Sequence, residues 1–219
     1  MKTVSLLSGG MDSTTLLYYL LEQKHEVFVI SFDYGSKHNH KELGYARWHC
    51  EQLNISHTIV ELPFINQLFN SSLLQSGDAI PHGHYEDAVM KKTVVPFRNG
   101  IMLSIAGGYA ESIEADAVAI ASHAGDHAIY PDCRASFNAV MDLALRRGTY
   151  GGITLLTPYA AISKAAIVAI GLGLGVDYNK TWSCYEGGDI PCGKCGTCVE
   201  WIEALELNGI LILGQNLIR

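Results

Sequence analysis

Between an apolar run, Lys2 to Leu7, and the helically spaced apolar residues from Thr14 to Gln23 stands the segment Ser8-Gly9-Gly10-Met11-Asp12-Ser13. A buried strand that passes through a glycine turn straight into a helix is the opening unit of an open α/β sheet, and it constrains this chain more than any other feature. The alternation continues with strands at Glu26–Phe32 and His57–Leu62 and a helix at His40–Leu53 that carries Leu43, Ala46 and Leu53. Helices at Asn99–Ile113, Ala135–Arg147 and Lys164–Leu174 then alternate with strands at Ala117–Ala121 and Ile153–Leu156. The expected fold class is α/β, a doubly wound, five-stranded parallel sheet of Rossmann-like type. At 219 residues, 48% of them hydrophobic, the chain can bury a sizeable core without covalent staples.

Two stretches interrupt this pattern. Residues 63–94 hold Asn70-Ser71-Ser72, Ser76-Gly77-Asp78 and Pro81-His82-Gly83-His84, too polar and punctuated for a core element, and read as an active-site flap or substrate loop. After Val176 the composition shifts to Trp, Cys and Gly, so the division expected is an α/β domain at 1–176 and a small module at 177–219.

The glycine segment is chemically specific. At the carboxyl end of a strand, paired glycines turn amide N–H groups toward an anion, Ser8, Ser13 and Thr14 add hydroxyl donors, and the helix dipole adds roughly half a positive charge. It matches neither the Walker A pattern nor the dinucleotide fingerprint, and it resembles the Ser-Gly-Gly-x-Asp-Ser loop of the ATP pyrophosphatases. Beside a phosphate cradle, Asp12 reads either as a ligand of nucleotide-bound Mg²⁺ or as the helix N-cap.

Cys184, Cys192, Cys195 and Cys198 form a closed set of four thiols with Gly187, Gly188, Gly193 and Gly196 among them. Such spacing fits a structural Zn²⁺, with a [4Fe–4S] cluster as the competitor. Cys50 and Cys133 stand alone, so the cysteines indicate metal binding in a reducing compartment. A formal charge of −7 opposes stable association with nucleic acid. No apolar run approaches the roughly 20 residues of a membrane span. With no signal-peptide layout after Met1, a cytoplasmic protein is expected.

These features meet in one family. The chain resembles the 7-cyano-7-deazaguanine synthases of queuosine biosynthesis over nearly its whole length. The match is carried by Ser8-Gly9-Gly10-Met11-Asp12-Ser13-Thr14-Thr15, Phe32-Asp33-Tyr34-Gly35, Val95-Pro96-Phe97-Arg98-Asn99, Tyr130-Pro131-Asp132-Cys133-Arg134 and Thr181-Trp182-Ser183-Cys184-Tyr185, which leads into Pro191-Cys192-Gly193-Lys194-Cys195. It departs from the family at Phe97, where the family carries glycine, and at His123-Ala124-Gly125-Asp126-His127, where the family is more acidic. Both departures are expected near the substrate.

The resemblance implies conversion of 7-carboxy-7-deazaguanine to its 7-cyano counterpart with ammonia and ATP, through two successive adenylations, in a homodimer. The segment Leu7, Ser8, Gly9, Gly10, Met11, Asp12, Ser13, Thr14, Thr15, Leu16 and Leu17 would hold ATP, and Ser8, Asp12, Ser13, Arg98 and Lys164 would act in the chemistry. Arg98 is favoured by its neighbours Pro96 and Asn99, while Lys164 also reads as a solvated surface charge. Arg98, Asp132 and Arg134 would bind the substrate, although Asp132 and Arg134 also read as a loop ion pair. Cys133 is left out of catalysis. The pairs His38/His40 and His82/His84 read as solvated loop residues, while His123 and Asp126 fall where such a sheet holds ligand. The apolar run Ile210-Leu211-Ile212-Leu213 would suit a subunit contact. Three rivals remain: a zinc-ribbon binding module, a tRNA-thiolating enzyme, and a divergent relative that attaches a deazaguanine to DNA or protein.

Overall fold

The computed structural model describes residues 1–83, 88–125, 129–213 and 216–218. Strands β1 (Lys2–Leu6), β2 (Glu26–Asp33), β3 (His57–Glu61), β4 (Ala117–Ala119) and β5 (Thr154–Leu156) form a sheet in the order β3-β2-β1-β4-β5. Every neighbouring pair is parallel, which bears out the expected doubly wound sheet. The helices are α1 (Met11–Glu22), α2 (Asn39–Leu53), α3 (Pro63–Leu68), α4 (Arg98–Ser112), α5 (Ala135–Gly148), α6 (Lys164–Gly173) and α7 (Gly196–Glu206). A short antiparallel hairpin, β6 (Leu211–Leu213) with β7 (Asn216–Ile218), follows α7 and is not foreseen in the sequence pattern.

Side chains of a strand alternate between faces, so each sheet face collects its own core. Val4 and Leu6 of β1, Ile30 and Phe32 of β2 and Val118 of β4 pack with Met102, Leu103, Ala106 and Ala110 of α4 and with Met141 and Leu145 of α5. On the other face Val27 and Val29 of β2 and Ala119 of β4 meet Leu16, Leu17 and Leu20 of α1, Ala46 and Cys50 of α2 and Ile167 of α6. Leu16 and Leu17 are fully buried, each worth roughly 1.5–3 kcal/mol relative to exposure. The Gly10 N-cap of α1 supplies no side-chain bond, so that buried face holds the helix.

Three expectations need correction. Helix α1 begins at Met11 rather than Thr14, because Gly9, at φ 95°, completes the turn within the glycine pair. Asp12 therefore sits inside the first turn and is not the N-cap. The stretch 63–94 is not outside the core: Ile65, Leu73, Leu74, Ile80 and Met90 are buried, and all but Met90 belong to the α4 side of the main core. Its apolar residues lie at irregular intervals among polar ones, which hid them from a periodicity search. Finally Ile210 is buried against α6 and α7 residues, leaving Leu211 exposed.

The tail packs onto the sheet domain. Trp182, Cys184, Cys195 and Cys198 share the core of β1, β2 and α4, and His82 forms a strand-like bridge with Cys195.

Candidate active site

In an open parallel sheet, ligands bind beyond the carboxyl ends of the strands where the strand order reverses. Here that point lies between β1 and β4, and a cavity of about 230 Å³ opens there. Leu7, Ser8, Gly10, Met11, Asp12 and Ser13 line it from the glycine turn; Ile120, Ala121 and Ser122 line it from the end of β4.

The glycine turn is held by its own hydroxyls. Ser8 Oγ accepts from Gly10 N at 3.1 Å and lies 3.0 Å from Ser13 Oγ, which accepts from Ser8 N at 3.2 Å. A side chain at Gly9 would fall 2.0 Å from the Glu42 carbonyl oxygen, so α2 crosses the turn only because that residue has none. The result is a helix N-terminus with serine donors facing a cavity, an anion site in its own right. Not all of the expected nucleotide stretch reaches it. Thr15 Oγ1 is buried, donating to the Met11 carbonyl and meeting Tyr178 Oη at 2.7 Å, and Leu16 and Leu17 point into the core. Gly9 and Thr14 also stand off the cavity wall.

Lys164, which opens α6 behind the Ser163 cap, is no surface charge. It is 9% exposed, with Nζ 3.3 Å from Asp12 Oδ2 and 2.6 Å from Glu200 Oε2 on α7. His123 Nε2 lies 3.8 Å from the same Asp12 oxygen, and Asp12 Oδ1 is buried with no hydrogen bond. Lys164 of α6 and His123 of the loop after β4 thus converge on Asp12 of α1, as the position of His123 foreshadows. Asp126 and His127 lie outside the described residues.

Arg98, at the start of α4 on the sheet face away from α1, also lines the cavity. Its Nη1 donates to Tyr34 Oη at 3.1 Å, with the guanidinium over the Tyr34 ring. Burial pulls its pKa down, but Tyr34 and then Asp132 outweigh burial and hold it well above the ordinary arginine value. Asp132 is buried and accepts from Asn99 N at 2.9 Å, so it satisfies the first turn of α4 and anchors the helix that presents Arg98. Arg134 is exposed, and neither Asp132 nor Arg134 lines the cavity. Cys133 does line it, accepting from Asn99 Nδ2 at 3.3 Å.

The cavity also contains residues that sequence reasoning overlooked. His38, expected in a solvated loop, is 3% exposed and faces Glu42 at 3.6 Å, both in the wall. The spacing His38-x-x-x-Glu42 at the entry to a helix after a strand was the available signal. Burial, then Arg98, lowers the His38 pKa to about 4. Burial raises that of Glu42 to about 8 against the pull of Arg98. Tyr34, Trp182, Tyr185 and Thr197 also line the cavity.

Phe97, expected near the substrate, is 58% exposed and off the wall. Its backbone is left-handed, φ 54°, a conformation that favours glycine. The ring folds over Gly100, where a side chain would meet it at 2.3 Å, and packs edge-on against Phe137.

The four tail cysteines gather as their spacing requires. Their sulfurs all lie within 4.8 Å of one another, against an edge of about 3.8 Å for a tetrahedron with 2.3 Å metal–sulfur bonds. Cys192 N donates to Cys184 Sγ, and Lys194 N and Cys195 N donate to Cys192 Sγ, bonds that stabilise thiolates. The Cys195 thiol is driven far down by hydrogen bonds from Cys184 and Cys198, and Cys184 is pushed up to about 12, chiefly by its bond to Cys195. The cluster can bind a metal ion.

Residues 2–209 match the family described as "Queuosine biosynthesis protein QueC". The chain belongs to the QueC family. Among relatives, the 7-cyano-7-deazaguanine synthase of Porphyromonas gingivalis is 55% identical over 206 residues, 94% of this chain and 92% of that one. The synthases of Desulfotalea psychrophila, 51% identical over 93% of each chain, and Methanoregula boonei, 50% identical over 95% of this chain and 96% of that one, stand close behind. The chain also aligns with a 4-thiouridine synthetase in complex with RNA and bound ATP, with a TM-score of 0.51 at 18% identity, over 94% of this chain and half of that one. It aligns with the U34-tRNA thiolase NcsA of Methanococcus maripaludis with a TM-score of 0.50 at 15% identity, over 95% of this chain and 67% of that one. These two likenesses concern the fold alone.

Proposed function

We propose that this chain converts 7-carboxy-7-deazaguanine, ammonia and ATP to 7-cyano-7-deazaguanine. The observation that carries the reading is that one cavity is lined by both the serine-rich helix N-terminus and Arg98, in a chain about half identical to named synthases. The substrate carboxylate attacks the α-phosphorus, pyrophosphate leaves, and ammonia displaces AMP to form an amide. The amide oxygen is adenylated in turn, and loss of AMP leaves the nitrile. Such chemistry asks for positioning and charge stabilisation rather than a covalent nucleophile.

Ser8, Gly10 and Ser13 would hold the departing pyrophosphate, and Lys164 would neutralise charge beside it. Arg98 would orient the substrate carboxylate against the α-phosphorus, held in place by Tyr34 and by Asp132 through α4. Asp12 Oδ1, buried and without a hydrogen bond, fits an ATP-bound Mg²⁺. Cys184, Cys192, Cys195 and Cys198 would hold a structural Zn²⁺. Four sulfurs this close suit one ion, whereas the terminal ligands of a [4Fe–4S] cluster sit on separate irons, further apart. The reduced cluster supports a cytoplasmic setting. Exposed Val140 and Leu143 on α5 support a homodimer.

Incubation with 7-carboxy-7-deazaguanine, ATP and ammonium, followed by mass spectrometry, should show the amide and then the nitrile. Release of pyrophosphate with neither product would overturn the substrate assignment.

A further inference from the structure

Both substrates assigned above to the cavity are anions, yet its wall contains a carboxylate that serves neither. Glu42, on the first turn of α2, points beside the glycine turn: an added side chain at Gly10 would lie 3.7 Å from its Oε1. Arg98 lines the same cavity, and its charge favours the ionised form of Glu42. Glu42 therefore lines the same cavity as the glycine turn and as Arg98, the cation assigned to the substrate carboxylate, where the activated carbon would lie. His38 Nε2 faces Glu42 Oε2 at 3.6 Å, and His38 Nδ1 is buried with no hydrogen bond.

A carboxyl group in that place can hold the nitrogen donor, ammonium at neutral pH, by hydrogen bonds and, once it has given up its own proton, by charge. We propose that Glu42 and His38 form the nitrogen site, docking ammonium beside the activated carbon and receiving the protons it sheds. This rests on the synthase reading given above.

The proton count shows why such a site is needed. Ammonium reaches the amide by losing two protons, one before it attacks and one after the C–N bond has formed and the C–O bond to AMP has broken with its electron pair. The amide oxygen then bonds to phosphorus as pyrophosphate leaves. The last two N–H protons depart as the second C–O bond to AMP breaks and C≡N forms. No oxidant or reductant enters, and all four protons leave from nitrogen. Burial of Glu42 moves its carboxyl toward the range of an amine, so passing a proton between the two costs little. His38, held neutral by burial and hydrogen-bonded to the Tyr185 backbone, faces Glu42 and orients the carboxyl toward the cavity.

The test uses the intact chain and its Glu42→Gln variant with 7-carboxy-7-deazaguanine. ATP–pyrophosphate exchange without ammonium reports adenylation, amide formation reports ammonium use, and hydroxamate formation uses hydroxylamine, which is unprotonated at neutral pH. The variant should need about tenfold to a hundredfold more ammonium for half-maximal rate, the loss of one charge-assisted hydrogen bond. Its KM for ATP should move less than about twofold, and hydroxylamine should restore trapping toward the unsubstituted rate. Unchanged ammonium dependence overturns the proposal. So does an equal loss in all three assays, which marks a structural role, or a raised Mg²⁺ requirement, which places Glu42 on the metal. Absence of exchange in the unsubstituted chain would instead overturn the synthase reading, and this site with it.

Discussion

Lys164 Nζ lies 2.6 Å from Glu200 Oε2, and Glu200 follows Cys198 by two residues on the same helix. The lysine that meets Asp12 beside the glycine turn is thus gripped by the helix that begins in the cysteine cluster. The cysteine cluster and the proposed phosphate site are joined by one ion pair, each end of which is largely shielded from water.

Lys164→Ala should lower ATP–pyrophosphate exchange by about 10²–10³-fold, the usual cost of removing a preorganised charge from a transition state. Glu200→Gln, which leaves the lysine in place but loosens it, should cost about tenfold. Because Glu200 acts through Lys164, the double variant should be no worse than Lys164→Ala. Losses that multiply would separate the two residues.

Chelation of the cluster metal should lower exchange and thermal stability together, since three of the four cysteines belong to the main core. Hydrogen exchange should rise first across residues 182–206. The α5 helix, which packs on the far edge beside β5, should keep its protection. Loosening confined to the tail, with exchange unaffected, would contradict the coupling.

Glu42→Gln should stabilise the fold at alkaline pH. The carboxyl is raised in the folded state from 4.5 to about 8, so between those values the folded chain binds more protons than the unfolded one and stability falls as pH rises. Below about pH 4.5 both states are protonated and the penalty vanishes. The variant should therefore melt higher than the unsubstituted chain at pH 8, by the equivalent of ~2–4 kcal/mol, and about equally at pH 4.5. Parallel melting curves at both pH values would show that the carboxyl carries no such cost.

Two glycines should respond with opposite signs. Gly9→Ala places a methyl group against the Glu42 backbone at a left-handed φ and should cost more than ~2 kcal/mol. Gly44, exposed within α2, has open space around it, and Gly44→Ala should stabilise by ~1 kcal/mol. Urea denaturation of both variants checks the pair.

Much of this was legible along the chain because the signals are local. The apolar period of β1, the two glycines and the helical spacing of α1 lie within neighbouring residues, and so do the four cysteines. Lys164 read as readily as a surface charge, because Asp12 and Glu200, the carboxylates it meets among the described residues, come from distant elements. Asp132 and Arg134 share a motif with Cys133, yet Asp132 turns to the first turn of α4 and Cys133 alone of the three reaches the cavity. Phe97 departs from its family in sequence, but its ring folds over Gly100, away from the cavity.

By itself the sequence determined the parallel sheet, the glycine turn after its first strand and the clustered set of four cysteines, since backbone conformation and cysteine spacing are written in adjacent residues. Only the tertiary structure decided which charges lose their water and whom they face. It buried Lys164 between Asp12 and Glu200, brought Arg98 onto Tyr34, and set His38 and Glu42 into the cavity wall. Burial and the distance between charges depend on how separate elements cross, and no local pattern records that crossing.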